Sequence, residues 1–180
     1  EEPLYKQGEP WSSLHAACLV PRTPLVVIRW LLQWNKDSLR TRDLRQGRLP
    51  LHYAVTRPSE RSRWLAIPVG ARFSQRVAFV DPSCPLEAIL LKAFPNGACV
   101  VDAQRQLPLH VAIHSSSTAQ QNATAIETLV HAYPESLERR DGITKLYPFQ
   151  QAATVKDASL DTIWYLLREN PTLVSSAIST

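Results

Sequence analysis

The chain has 180 residues, 44% of them apolar and 20% charged, with a formal net charge of +4. That length holds one domain with a real core, and the composition is that of an ordinary folded chain rather than a disordered or collagenous one. No apolar run approaches the roughly 20 residues of a transmembrane helix, and the longest, around Leu25–Leu32, is broken by Arg29. Nothing at the start pairs a basic segment with an apolar one, so no signal peptide and no membrane insertion are expected. No Met occurs, and the segment is expected to begin downstream of an initiator, as a processed product, an excised domain or part of a larger chain or assembly.

Three cysteines, Cys18, Cys84 and Cys99, form no Cys-x-x-Cys pair. The odd count points to free, mostly buried thiols in a reducing, intracellular compartment (cytoplasm or nucleus) rather than to a disulfide framework or zinc site. Fourteen prolines against five glycines suggest frequent helix starts and stops rather than flexible linkers.

In chain order, a short string recurs. It begins as Ser12-Ser-Leu-His-Ala-Ala17, returns as Leu49-Pro-Leu-His-Tyr-Ala54 and Leu107-Pro-Leu-His-Val-Ala112, and ends as the looser Tyr147-Pro-Phe-Gln-Gln-Ala152. Each copy is followed by an apolar pair: Leu31-Leu32, Leu90-Leu91, Leu129-Val130 and Leu166-Leu167. Pro95, Pro134 and Pro171 follow three of these pairs, with Lys36 in the corresponding place after the first. From the second residue of a pair to the next string's Leu or Phe the steps are 19, 18 and 19 residues, whereas within a copy they are 18, 40, 21 and 18. The constant step marks a repeat, and the 40 marks about twenty extra residues between Arg57 and Pro85. Each copy reads as two helices. The first is short, with Ala17, Ala54, Ala112 or Ala152 permitting close approach. The second carries apolar residues at helical spacing, such as Ile126, Leu129, Val130 and Tyr133. One such pair cannot bury its own apolar face, so the pairs must stack.

These strings resemble the ankyrin repeat, whose signature is Asp-x-x-Gly-x-Thr-Pro-Leu-His-x-Ala. Asp102–Ala112 matches with Arg105 in the Gly position, Gly47–Ala54 matches with its glycine in place, and Asp141–Ala153 resembles a Tyr-Pro-Phe variant. The resemblance implies an all-α fold: a solenoid of about four helix-turn-helix repeats spanning residues 9–43, 44–101 with an insertion at 58–84, 102–140 and 141–175. It also implies fingers and first helices lining a concave face, second helices forming the back, and protein binding without chemistry. In that family the motif histidine ties the first helix to a neighbouring hairpin, which makes His15, His52 and His110 structural.

No nucleophile elbow, phosphate-binding loop or metal-ligand spacing is present, so no catalytic residue, metal site or cofactor is expected. His110 and His114 lie four apart on one helix, but no third ligand accompanies them. Trp30, Trp34 and Trp164 fall at core spacing and are expected to pack. Charge is less even. Between Arg40 and Arg76 nine arginines face only Asp43 and Glu60, a net +7 that leaves −3 elsewhere. Arginine suits bidentate contacts to carboxylates or phosphates.

The expected function is therefore a non-catalytic interaction scaffold for a protein with an acidic surface. The contact residues expected from the repeat positions are Trp11, Arg45, Arg48, Thr56, Arg57, Gln104, Gln106, His114, Ser115 and Thr154. From the insertion they are Arg61, Arg63, Trp64, Arg72, Phe73 and Arg76. The alternative is binding of nucleic acid or another polyanion through segment 40–76.

Overall fold

A computed structural model describes residues 11–20, 23–56, 85–115, 119–156 and 158–171, the side chains of 119–122 excepted. Among them the chain is all-helical, with eight α-helices and no strand. They are α1 (Ser13–Leu19), α2 (Leu25–Trp34), α3 (Pro50–Ala54), α4 (Leu86–Ala93), α5 (Pro108–His114), α6 (Ala119–Ala132), α7 (Pro148–Thr154) and α8 (Leu160–Glu169). The odd-numbered helices begin on the repeated string. Pro50, Pro108 and Pro148 occupy the first turn, where the missing N–H is not needed. Ser12 caps α1 instead, its Oγ accepting from the His15 N–H.

The even-numbered helices end on one repeated device. Asn35, Phe94, Tyr133 and Asn170 all leave the helix at φ between −144° and −148° and ψ between 81° and 91°. A following proline forces its predecessor out of the helical region, and Asn35 takes the same path although Lys36, not proline, follows it. The sequence suggests a plain stop here. The structure instead adds a 3-10 turn after three of these helices, at Lys36–Arg40, Pro95–Cys99 and Pro134–Glu138.

Each odd-numbered helix packs on the even-numbered helix that follows it, and α1, α3, α5 and α7 also pack in series. Ala17, Ala54, Ala112 and Ala152 are buried along that series, where small side chains let the backbones approach. Leu14, Leu51 and Leu109 from the strings, and Ile28, Leu90, Leu91, Ile126, Leu129, Val130 and Leu166 from the second helices, complete one continuous core. The burial expected of four residues is corrected here. Trp34 is 79% exposed, Trp164 68% and Trp30 54%, so these rings are not packed in the core. Cys99 is likewise exposed, whereas Cys18 is buried. No helix among the described residues is long and apolar enough to cross a membrane.

Candidate functional site

Three loops precede α3, α5 and α7, and each is organised by one buried aspartate. Asp43 Oδ1 accepts the N–H groups of Arg45 and Gln46, while Oδ2 accepts from Arg48 N and from the Tyr53 hydroxyl at 2.6 Å. Asp102 Oδ1 accepts from Gln104 N and Gln106 N. Asp141 Oδ2 accepts both the N–H and the hydroxyl of Thr144. Burial pushes the Asp43 carboxyl up, but the Gln46 N–H, the Tyr53 hydroxyl and the N–H groups of Arg45 and Arg48 outweigh it and hold the group below the usual range. Asp141 is depressed in the same way, with Thr144 and Gln106 supplying the donors. All three carboxylates accept backbone N–H groups of their own loops, and Asp102 and Asp141 also accept from the preceding loop.

Each loop also contains one residue in the left-handed region, always two before the leading residue of the string: Gly47 at φ 61°, Arg105 at 60° and Lys145 at 61°. The left-handed conformation thus recurs at this position even where the residue is not glycine.

The loops are joined to one another. Ala103 N donates to Gln46 O at 2.8 Å. Arg48 Nε reaches forward to Asp102 Oδ2 at 3.0 Å, and Gln106 Nε2 reaches forward to Asp141 Oδ1 at 2.7 Å. Arg48 and Gln106 hold the same position, immediately before the string, so one sequence position supplies the strut twice. Gln106, expected to meet a partner, is instead buried and turned into the structure. Arg48 is half-buried and committed to an ion pair.

The histidines are part of this framework. His15, His52 and His110 accept with Nδ1 from the backbone N–H of Ser12, Leu49 and Leu107. With Nδ1 accepting, Nε2 carries the proton and donates to Arg48 O from His15 and to Arg139 O from His110. Gln150 makes the same reach in the last string, its Oε1 accepting from Tyr147 N. His52 Nε2 is buried without a hydrogen-bond partner. The Gln106 carbonyl stands near enough to favour its charged form but outside bonding geometry. That carbonyl belongs to the shortest loop, in which four residues lie between Asp102 and Leu107, against five between Asp43 and Leu49. Burial lowers the pKa of all three imidazoles, His52 to about 4. Both nitrogens of His110 are engaged on backbone and His114 is exposed, and no group of three ligating side chains occurs among the described residues.

Outside the framework, exposed side chains gather on the loop tips: Leu44, Arg45 and Gln46, then Ala103, Gln104 and Arg105, then Ile143, Thr144 and Lys145. Leu44 and Ile143 are 66% and 57% exposed. Of the other expected contacts, His114 and Thr154 are exposed, and Thr154 Oγ1 bonds Gln151 O. Thr56 and Ser115 are half-buried, closing the ends of α3 and α5 on Tyr53 O and Ala112 O. Trp11 lies at the edge of the surface with its ring 5.5 Å from that of Tyr53. Arg57, Arg61, Arg63, Trp64, Arg72, Phe73 and Arg76, with the whole insertion 58–84, lie outside the described residues. Sequence reasoning missed Arg105, Lys145, Leu44 and Ile143. Their signal was their position between each aspartate and the following string.

The fold and these loops define an all-helical protein whose polar residues are spent on joining successive loops. Comparison with protein-family models, curated proteins and solved structures finds no match for the chain.

Proposed function

We propose that the chain is a stack of ankyrin-like repeats that binds, without catalysis, a protein partner presenting an acidic surface. The observation that carries this reading is the row of loop tips. In each tip the acidic side chain is turned inward and saturated by hydrogen bonds, while a cationic one stands outward: Arg45, Arg105 and Lys145. A partner therefore meets positive charge flanked by the apolar Leu44 and Ile143, a combination suited to carboxylate-bearing surfaces with apolar anchors. His114 and Thr154, exposed at the ends of α5 and α7, are further contacts in this reading. The stacked-repeat part of the reading is supported by the recurring string, the serial packing of α1, α3, α5 and α7, and the left-handed residue repeated in each loop.

Polyanion binding through segment 40–76 is the weaker reading. Of its four described arginines, Arg48 is paired with Asp102 and Arg40 lies over the Phe94 ring at 5.4 Å. Measuring captured partners against salt, with Arg45, Arg105 and Lys145 reversed to Glu, tests the proposal. Capture that persists unchanged refutes it.

A further inference from the structure

A carboxyl group is buried where the chain elsewhere places isoleucine. Aligned on the apolar pairs, Glu87 in the first turn of α4 takes the position of Ile28 in α2, Ile126 in α6 and Ile163 in α8. It is 6% exposed, and its Oε1 has no hydrogen-bond partner. The position is internal to the array, since both α3 and α6 pack against α4.

No opposite charge compensates that burial. The elements packed against α4 are α3, α6 and the 3-10 turns Lys36–Arg40 and Pro95–Cys99. On α3, His52 is bonded to Leu49 N and Tyr53 to Asp43. On α6, Glu127 and His131 are exposed. On the first turn Lys36 and Asp37 are exposed and Arg40 lies over the Phe94 ring; on the second, Cys99 Sγ donates to Asn96 O. Lys92, on α4 itself, is exposed. What acts on the Glu87 carboxyl is burial, which favours its neutral form, and its own backbone N–H, which favours the charged one. A charged carboxylate at this site has to regain water.

α4 is also held by the least structure. It has eight residues, against ten, 14 and ten in α2, α6 and α8. Its partner α3 has five, against seven in α1, α5 and α7. Pro85 gives its N-terminus no side-chain cap. A short element with few packed groups opens at lower free energy than the whole chain.

We infer that Glu87 makes α4 a pH-sensitive switch within the core: it stays docked on α3 and α6 while the carboxyl is neutral, and opens locally as the carboxyl ionises. Lifting the first turn of a short helix brings water to the charge without unfolding the remainder. His52, lowered to about 4, titrates below the range in which Glu87, raised from 4.5, does so. The inference does not depend on what the loop tips bind.

Native-state amide hydrogen exchange tests it, with rates at each pH referred to those of unstructured peptides. In the wild type, protection of Leu90 and Leu91 in α4 is expected to fall as pH rises above 4.5, by up to about tenfold per pH unit, and to level off once the docked state ionises as well. At pH 7 these amides are expected to be less protected than Val111 and Ile113 in α5. Their exchange should respond little to low urea, because a local opening exposes little surface, while that of α5 rises steeply. Glu87→Gln and Glu87→Ile are expected to remove the fall with pH. Equal protection and equal urea dependence of α4 and α5 in the wild type at pH 7 would overturn the inference, a result that needs no variant. So would a fall with pH in Glu87→Gln as steep as that of the wild type.

Discussion

Arg48 Nε donates to Asp102 Oδ2 at 3.0 Å, across 54 positions of sequence. The Asp102 side chain is fully buried and that of Arg48 is 15% exposed, so the pair is screened far less than a surface ion pair. Truncating Asp102 to Ala strands the guanidinium and two backbone N–H groups; a loss on the order of 3–5 kcal/mol is expected in denaturant unfolding. Arg48→Ala is expected to lose roughly 1–3 kcal/mol. The double variant should fall short of the sum, because the two residues act on each other. Arg45→Ala, at an exposed tip, should stay within about 0.5 kcal/mol of wild type.

The left-handed position makes opposite predictions for different residues. Arg105→Gly and Lys145→Gly relieve a conformation that costs an L-residue roughly 1–2 kcal/mol, so both should hold or raise the unfolding midpoint. Gly47→Ala should lower it, since the residue sits at φ 61° and an added Cβ would stand 3.1 Å from Ala103 N. Gly142→Ala should be worse, because its Cβ would overlap the Gln104 carbonyl oxygen.

The buried histidines set an acid limit. Their folded pKa values are lowered, His52 from 6.5 to about 4. Between those values the unfolded chain binds a proton that the native one refuses, so stability is fully present above about pH 6.5 and falls as pH drops toward 4. For His52 the loss by pH 4 is up to about 3 kcal/mol. Because Gln150 already performs the same reach in the last string, His52→Gln should fold and flatten the decline, measured as urea midpoints at pH 7, 5 and 4.

Glu87 works the other way. Aligned on the apolar pairs it takes the position of Ile28 and Ile126, is 6% exposed, and its Oε1 has no hydrogen-bond partner. Burial raises its carboxyl pKa. The native state therefore holds its proton longer than the unfolded chain does, and stability is lost as pH rises through 4.5 and beyond. Glu87→Ile should stabilise at pH 7 by on the order of 1–3 kcal/mol, and the gain should shrink at pH 4.

The helices were legible because their signals are local. Pro at the first turn, Ala at the close approach and the apolar pair each act within a few residues, and all mark elements that the structure contains. The 3-10 turns were not, since a proline stop and a proline-initiated turn look alike. The sequence alone places Arg48 and Gln106 among partner contacts because their acceptors, Asp102 and Asp141, are 54 and 35 residues away. Periodicity places Trp30, Trp34 and Trp164 in the core because it identifies an apolar flank but not whether a neighbouring helix covers it. Only the order of helices along the series decides that.

The central claim is that outward cations on the loop tips, not the buried framework beneath them, bind an acidic protein. Affinity capture with the wild-type chain and with the Arg45→Glu, Arg105→Glu, Lys145→Glu variant, read by mass spectrometry at low and high salt, tests it most directly. Acidic proteins retained by the wild type at low salt and lost both in the variant and at high salt are the predicted result. The same proteins captured equally by both chains, with the variant as stable as wild type, would contradict it.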